Sequence, residues 1–250
     1  MQLHEQAASM LLDVRKTGKL LTNLPEHMHP STLDEAYIIQ DASVRAQGAV
    51  GGWKLSMSEK KEGRFVSAIP APLVIASPAT LPAPKGVVVE IEGEIALRVA
   101  RDLLPRDKPY TAEEVADAIG SLHAAIEVLG SRFANRKAVP PLVAVADLQS
   151  NAGIVYGPGL TDWRKVEFAD VKMTLTFDGA PAAKADGGPA TATAMTALAF
   201  LADQAVGRHG GLKQGQIIIT GARVKPIVLN PGVTAELDVV GIGKASLRLA

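Results

Sequence analysis

The chain has 250 residues, 47% of them apolar, and its 26 basic and 26 acidic side chains leave no formal net charge. That length supports one large core or two small domains at most, and the composition excludes a disordered tail. The charge balance offers no basic surface for a nucleic-acid partner. There is no cysteine, which removes disulfides, thiolate-held metals, iron–sulfur clusters and thiol nucleophiles. The N-terminal MQLHEQAASMLLDVRKTGK lacks the basic-then-apolar order of a signal peptide. No run of about 18 uncharged apolar residues exists, so no membrane span is expected. The expected compartment is the cytoplasm.

Leu3, Ala7, Met10, Leu11 and Val14 recur at helical spacing and predict a helix over 3–16. Thr32 and Glu35 form a T-x-x-E start signal for a second helix, AYIIQDASVRAQ. GAVGGWKLSMSEK then reads as a strand entered through paired glycines. Residues 67–86 carry Pro70, Pro72, Pro78, Pro82 and Pro84, and predict an ordered loop or short edge strands. VVVEIEGEIALRVA, 87–100, predicts a strand, and TAEEVADAIG a short capped helix from Thr111. Residues 121–128 are apolar enough for a buried strand. Residues 171–184 predict a hairpin turning at Asp178-Gly179. Residues 193–206 predict a helix. QIIITG, VTAELDVV and KASLRLA close the chain as strands, with a turn at Asn230-Pro231-Gly232.

No βαβ alternation, repeat or linker is visible, and the glycines form neither G-x-G-x-x-G nor a phosphate loop. The expected architecture is one α+β domain over 1–250: a mixed β-sheet roll with peripheral helices. A helical part covers about 1–48 and a β-rich part about 49–250.

The 87–100 strand poses the functional question. Alternation puts Val89, Ile91, Ile95, Leu97 and Val99 on one face and Glu90, Glu92 and Glu94 on the other. Neighbouring glutamates on one face lie roughly 6.5–7 Å apart at Cα. At an effective dielectric of about 20 they repel by roughly 2–3 kcal/mol. A wet face tolerates this; a partly buried one needs a cation. Carboxylates at i and i+2 suit a hard cation such as Mg²⁺ or Mn²⁺. Gly93 between Glu92 and Glu94 would admit a close neighbour. Glu127, in AAIEVLGSR, sits in an apolar context and needs a partner: Arg132 nearby, or a shared cation. Lys54, in GGWKLS, is a snorkelling lysine, a carboxylate anchor or a proton carrier.

Taken together, these segments resemble the fumarylacetoacetate hydrolase superfamily, and more closely its 2-keto-4-pentenoate hydratase / 4-oxalocrotonate decarboxylase branch. TLDEAYIIQ, GGWKLS, VEIEGEIAL, AAIEVLGSRF, ADLQSNAGIVYGP, ALAFLADQAV, GQIIITG and LNPGVTAELDVVGIG follow the family's order through almost the whole chain. The resemblance implies that Glu92, Glu94 and Glu127 hold Mg²⁺ or Mn²⁺, with Glu90 outside the motif. It places Lys54 at the family's lysine, as the candidate catalytic residue. Arg132 is expected to orient Glu127 or to touch substrate. Gln149 and Ser150, with Asn151 beside them, are loop polars that line the pocket or cap a turn. Thr220 ends a strand near the substrate or simply caps it.

The activity implied is hydration of a 2-hydroxy-2,4-dienoate / 2-oxo-4-enoate to a 4-hydroxy-2-oxo acid in aromatic-compound catabolism, which makes the protein a lyase. The alternatives are 4-oxalocrotonate-type decarboxylation and a non-catalytic partner subunit of a hydratase–decarboxylase complex. A basic patch at Lys60, Lys61 and Arg64 would suit a diacid, or be a solvated charge run. The small 2-oxo acid is the expected partner, with a homo-oligomer or a complex with a partner hydratase or decarboxylase the expected assembly. Two departures stand out. APLVIASPAT carries Ile75 and Ala76 where related hydratases carry acids, and the late P-G-D turn reads Pro231-Gly232-Val233. Among the five histidines, His27 and His29 form an H-x-H loop, and His123 reads as a satisfied core residue. No Ser-His-Asp arrangement is visible.

Overall fold

A computed structural model describes residues 3–56, 64–84 and 86–250. The chain opens with α1 (Leu3–Thr17) and α2 (Leu33–Arg45), which pack on each other. Ala7, Ala8, Leu11 and Val14 form the buried stripe of α1. At α2 the Thr32 hydroxyl accepts from the Glu35 N–H, but the Glu35 carboxylate turns to Ser31 instead of closing the box. The second predicted box, Thr111 with Glu114, closes both ways and starts α3 (Ala112–Ala116).

Among the described residues the main sheet has eight strands. Along its length run β2 (Val66–Pro70), β1 (Val50–Leu55), β10 (Ile217–Ile219), β5 (Glu90–Val99), β6 (Ile119–Leu129), β7 (Asn151–Leu160) and β3 (Val74–Ala76), while β11 (Val224–Val228) pairs with another part of β5. A second sheet orders β4 (Ala79–Leu81), β13 (Gly243–Leu249), β12 (Thr234–Val239), β8 (Lys172–Phe177) and β9 (Ala180–Asp186). The proline-rich stretch becomes β2, β3 and β4, each at a sheet edge, where a missing N–H does least harm. The β8–β9 turn puts Asp178 at φ 47° and Gly179 at φ 83°, the positive pair a tight hairpin demands. α5 (Thr191–His209) is longer at both ends than its sequence pattern predicts.

The two sheets close into the expected mixed roll, with β13 lying on β6 and β7. The apolar face of β5 points inward: Ile91, Ile95 and Leu97 are fully buried beside Leu122, Ile126, Leu237 and Leu247. Gly157 marks the tightest approach, since a Cβ there would lie 1.8 Å from the carbonyl oxygen of Lys244. Gly93 also serves this inner face: a Cβ would meet Leu237 and Val224, so the close neighbour is core rather than ligand. α4 (Pro141–Ala146), β7 and β11 are additions to the predicted elements. Lys60 and Lys61 lie outside the described residues.

Candidate metal centre

The outward face of β5 and β6 carries the carboxylates. Glu92 and Glu127 are direct partners across the antiparallel pair, and Glu94 lies two residues along β5, opposite Ala125. One oxygen from each of Glu92, Glu94 and Glu127 lies within 4.8 Å of the others. Around them Ala96, Ala125, Ile154, Ile217 and Ile219 form a small buried apolar cluster, covered by Leu73, Val74 and Tyr156. The face is therefore no wet polar surface; Glu94 and Glu127 are fully buried.

Each buried carboxylate has one oxygen engaged and one free. Glu127 Oε1 accepts from Lys54 Nζ at 2.8 Å and from Asn151 Nδ2 at 2.9 Å. Glu94 Oε2 accepts from the Gly221 N–H at 2.6 Å. Among the described residues, Glu127 Oε2 and Glu94 Oε1 are buried with no hydrogen-bond partner. Such orphaned oxygens are costly unless a cation meets them. Three carboxylate oxygens are also the donor set a hard divalent cation prefers. The residues fit a metal ion on both counts.

Electrostatics points the same way. Burial, then the charge of Glu127, pushes Glu92 up to about 7. Burial, then Glu127 and Glu92, raises Glu94 well above the usual carboxylate range. Burial pushes Lys54 down, but Glu127, Glu92 and Glu94 outweigh it and the net shift is upward. Lys54 is thus held as an ammonium by the triad, rather than depressed by its burial.

The turn before β7 presents the remaining polar groups. Leu148, Gln149 and Ser150 all have positive φ, near 53°, 52° and 66°, a strained run for residues with side chains. This strain turns the Gln149 carbonyl toward Lys54 Nζ, at 3.4 Å. Ser150 is buried, and its N–H donates to the Asp147 carbonyl. The Thr220 hydroxyl donates to the Ile95 carbonyl at 3.1 Å, which ties the end of β10 to β5.

Arg132 departs from expectation. Its guanidinium does not reach Glu127; it pairs with buried Asp147 and also donates to the carbonyls of Gly130, Asp147 and Asn151. Every guanidinium nitrogen is engaged by the turn, so Arg132 supports Glu127 only through Asn151. Asp147 is the residue the sequence reading missed; the signal available was an acid directly after an apolar helical stretch. Glu90 pairs with Arg136 at 2.9 Å, away from the triad. Ile75 packs on the main core, and Ala76 is exposed. His29 bonds the Leu24 carbonyl, and His27–His29 belongs to no three-ligand group among the described residues. His123 is the satisfied core residue expected, with Ser121 and the Gly157 carbonyl each at 2.8 Å.

Comparison with known proteins agrees with this geometry. The chain is 27% identical over 254 residues to a 2-keto-4-pentenoate hydratase of Paraburkholderia xenovorans, covering 97% of this chain and 93% of that protein. It is 27% identical over 158 residues to a 4-oxalocrotonate decarboxylase of a Pseudomonas species, covering 62% of this chain and 59% of that one. In fold it is similar to the 4-oxalocrotonate decarboxylase of Pseudomonas putida G7 complexed with magnesium and adipate. That match has a TM-score of 0.82 at 18% identity and covers 99% of this chain and 97% of the other. The same decarboxylase is also known with calcium and acetate. The sequence pattern of the fumarylacetoacetate (FAA) hydrolase C-terminal family matches residues 39–250, and the chain belongs to that family.

Proposed function

We propose that the protein is a divalent-metal-dependent hydro-lyase. Its substrate is a 2-hydroxy-2,4-dienoate, used through the 2-oxo tautomer and converted to a 4-hydroxy-2-oxo acid in the breakdown of aromatic compounds. Mg²⁺ is the proposed cation, with Mn²⁺ able to replace it. One observation carries the reading: three carboxylates converge in a buried, apolar-walled site with two of their oxygens unpartnered, beside a lysine.

Glu92, Glu94 and Glu127 would hold the cation. When bound, it would supply Lewis acidity that polarises the 2-oxo acid and stabilises the negative charge developing on its 2-oxygen. Ketonisation moves the 2-hydroxyl proton to the far end of the diene. The remaining double bond is then conjugated with the C2 carbonyl, so water adds its oxygen at C4 and a proton at C3. Lys54 is the residue placed to carry these protons, because its Nζ borders the triad and is steered by Glu127 and the Gln149 carbonyl. Asn151 fixes Glu127, and Arg132 with Asp147 fixes Asn151 in turn. The apolar cluster borders the triad and would exclude water from that side of it. Gln149, Ser150 and Thr220 border the substrate's approach. A homo-oligomer, or a complex with a partner hydratase or decarboxylase, and residence in the cytoplasm belong to the same reading.

The test is the ultraviolet decay of 2-hydroxypenta-2,4-dienoate with metal-stripped protein, with and without Mg²⁺ or Mn²⁺. Metal-dependent formation of the 4-hydroxy-2-oxo acid is expected. If metal binds and nothing turns over, 4-oxalocrotonate is the next substrate. Carbon dioxide release there identifies a decarboxylase, and inertness toward both identifies a non-catalytic partner.

A further inference from the structure

The triad occupies the outer face of β5 and β6, and the inner face of the same strands ends in a cavity. Val89, just before β5, and Val128 of β6 alternate with the glutamates and so take the inner side. With Leu81 of β4 and Leu249 of β13 they wall an apolar cavity of about 260 Å³. The last turn of α1 borders it through Arg15, and Arg132 borders it from the end of β6. Among the described residues these two arginines are the charged groups in its lining, and no acid joins them. The volume suits one aromatic ring or a short acyl chain, since an apolar cavity of about 150 Å³ already holds benzene.

The two arginines differ. Arg132 is saturated by Asp147 and the turn. Among the described residues Arg15 makes one hydrogen bond, from Nη2 to the Asn151 carbonyl at 2.9 Å, and no ion pair. Burial, then the charge of Arg132, push the Arg15 guanidinium down to about 9, and Asp147 opposes them only in part. Asp147 is already paired with Arg132, so Arg15, Arg132 and Asp147 together carry one surplus positive charge. An apolar cavity beside a surplus guanidinium complements an acid with an apolar body, because the planar fork matches a carboxylate. Arg15 also stands one step from the triad. The Asn151 carbonyl accepts from Arg15 and from Arg132, while Asn151 Nδ2 donates to Glu127 at 2.9 Å.

We infer that this cavity is a regulatory site for a small monocarboxylic acid with an apolar body, one ring or a short acyl chain, whose carboxylate sits on Arg15. The bound carboxylate competes with the Asn151 carbonyl for the guanidinium. Asn151 then loses one of its two anchors, Glu127 loses part of its fixed orientation, and cation affinity falls. By linkage the cation weakens binding of the acid by the same factor. The effect on the cation rests on the metal-site reading above; binding of the acid does not.

The experiment is calorimetric titration of the full chain, with benzoate as the probe and benzamide as its uncharged counterpart. In metal-stripped wild type, benzoate is expected to bind at least about tenfold tighter than benzamide, the worth of a hydrogen bond to a charged group. Arg15→Leu should remove that preference, and Leu81→Trp, which fills the cavity from β4, should abolish binding of both. Saturating benzoate should weaken Mg²⁺ binding to wild type by about fivefold or more and leave Leu81→Trp unaffected. Benzoate that ligates the cation directly would tighten Mg²⁺ binding instead, in both proteins, and that sign overturns the inference. It is overturned equally by a wild type that takes up no benzoate, as when another segment or a second copy fills the cavity, or by a preference that survives in Arg15→Leu. Benzoate binding that leaves Mg²⁺ affinity unchanged overturns the regulatory role. A thermal melt checks that each variant folds, and the wild-type comparison of benzoate with benzamide needs no variant. Failure of wild type to bind Mg²⁺ sinks the metal-site reading instead, a result separate from the binding of benzoate.

Discussion

Glu92 and Glu127 stand directly opposite each other across β5 and β6, and Lys54 forms an ion pair with Glu127 at 2.8 Å. Like charges facing each other in a sheet are destabilising. With Glu94 on the same face, the fold carries three carboxylates where one ammonium cannot balance them. A divalent cation relieves that repulsion, so ligand affinity and fold stability are linked at this site.

The linkage gives a first prediction. Mg²⁺ at about a hundred times its dissociation constant should stabilise the protein by about 2.7 kcal/mol. For a chain of this size that is a rise in melting temperature of roughly 5–10 °C. Glu92→Gln should melt no lower than wild type in chelator, because it removes one of the repelling charges, and should lose most of the rise. Scanning calorimetry with and without Mg²⁺ reads both effects. A Glu92→Gln protein that still shows the full metal-induced rise would remove Glu92 from the ligand set.

Arg132 and Asp147 form a buried pair that organises the strained turn before β7. Removing one partner strands the other charge, at a cost of about 3–5 kcal/mol. Asp147→Asn should therefore unfold at markedly lower urea. It should also weaken Mg²⁺ binding, since Asn151, whose carbonyl accepts from both Arg132 and Arg15, loses the fixed position of the first, and Glu127 part of its orientation. Unchanged Mg²⁺ affinity in a variant still folded would show that the turn is structural only.

The fold subdivides cleanly into what the residues announce and what they do not. The alternation of Glu90, Glu92 and Glu94 with apolar neighbours was readable because a strand's period is two, and Thr111 with Glu114 announced a helix start by local chemistry alone. β7 was hidden by Gly153, Gly157, Pro158 and Gly159, residues that usually end strands. Here two of the glycines answer long-range contacts, Gly157 with Lys244 and Gly159 with the His123 ring. The partner of Arg132 was misjudged for a related reason. Glu127 is near in sequence but faces the triad, whereas Asp147 reaches Arg132 only once β6 and β7 are side by side. The surplus charge of Arg15 beside Arg132 is a tertiary property with no local signature.

Gly157 supplies a packing test. A methyl group there would enter the carbonyl of Lys244, which is backbone and cannot rotate away. Gly157→Ala should cost at least the upper end of about 1–3 kcal/mol expected for overpacking. Gly207→Ala is the matched control: it lies within α5, nothing lies within 4 Å of its added methyl, and a gain of about 0.5–1 kcal/mol is expected. Urea unfolding of the two variants should move in opposite directions. Equal, small shifts would mean that the sheets do not meet at Gly157.

His123 supplies a pH test away from the metal centre. Its ring is buried; the Nδ1 proton goes to the Gly157 carbonyl, and the bare Nε2 accepts from the Ser121 hydroxyl. Burial lowers its pKa, Arg98 lowers it further, and the Gly157 bond only partly opposes them. The unfolded chain then binds a proton near the ordinary value of about 6.5, while the folded chain resists it until lower pH. Between those two values the unfolded state holds more protons, so folding stability falls as the pH drops, by up to about 1.4 kcal/mol per pH unit. Above the ordinary value both states are neutral and His123 contributes no pH dependence. His123→Gln removes the titration and keeps a polar side chain in the pocket. The stability of wild type minus that of His123→Gln, from urea titrations, should be flat from pH 8 to about 7 and then decline toward pH 5. Contributions from other titrating groups cancel in that difference. A difference that stays constant over the whole range would show that the His123 proton equilibrium is the same in the folded and unfolded chain.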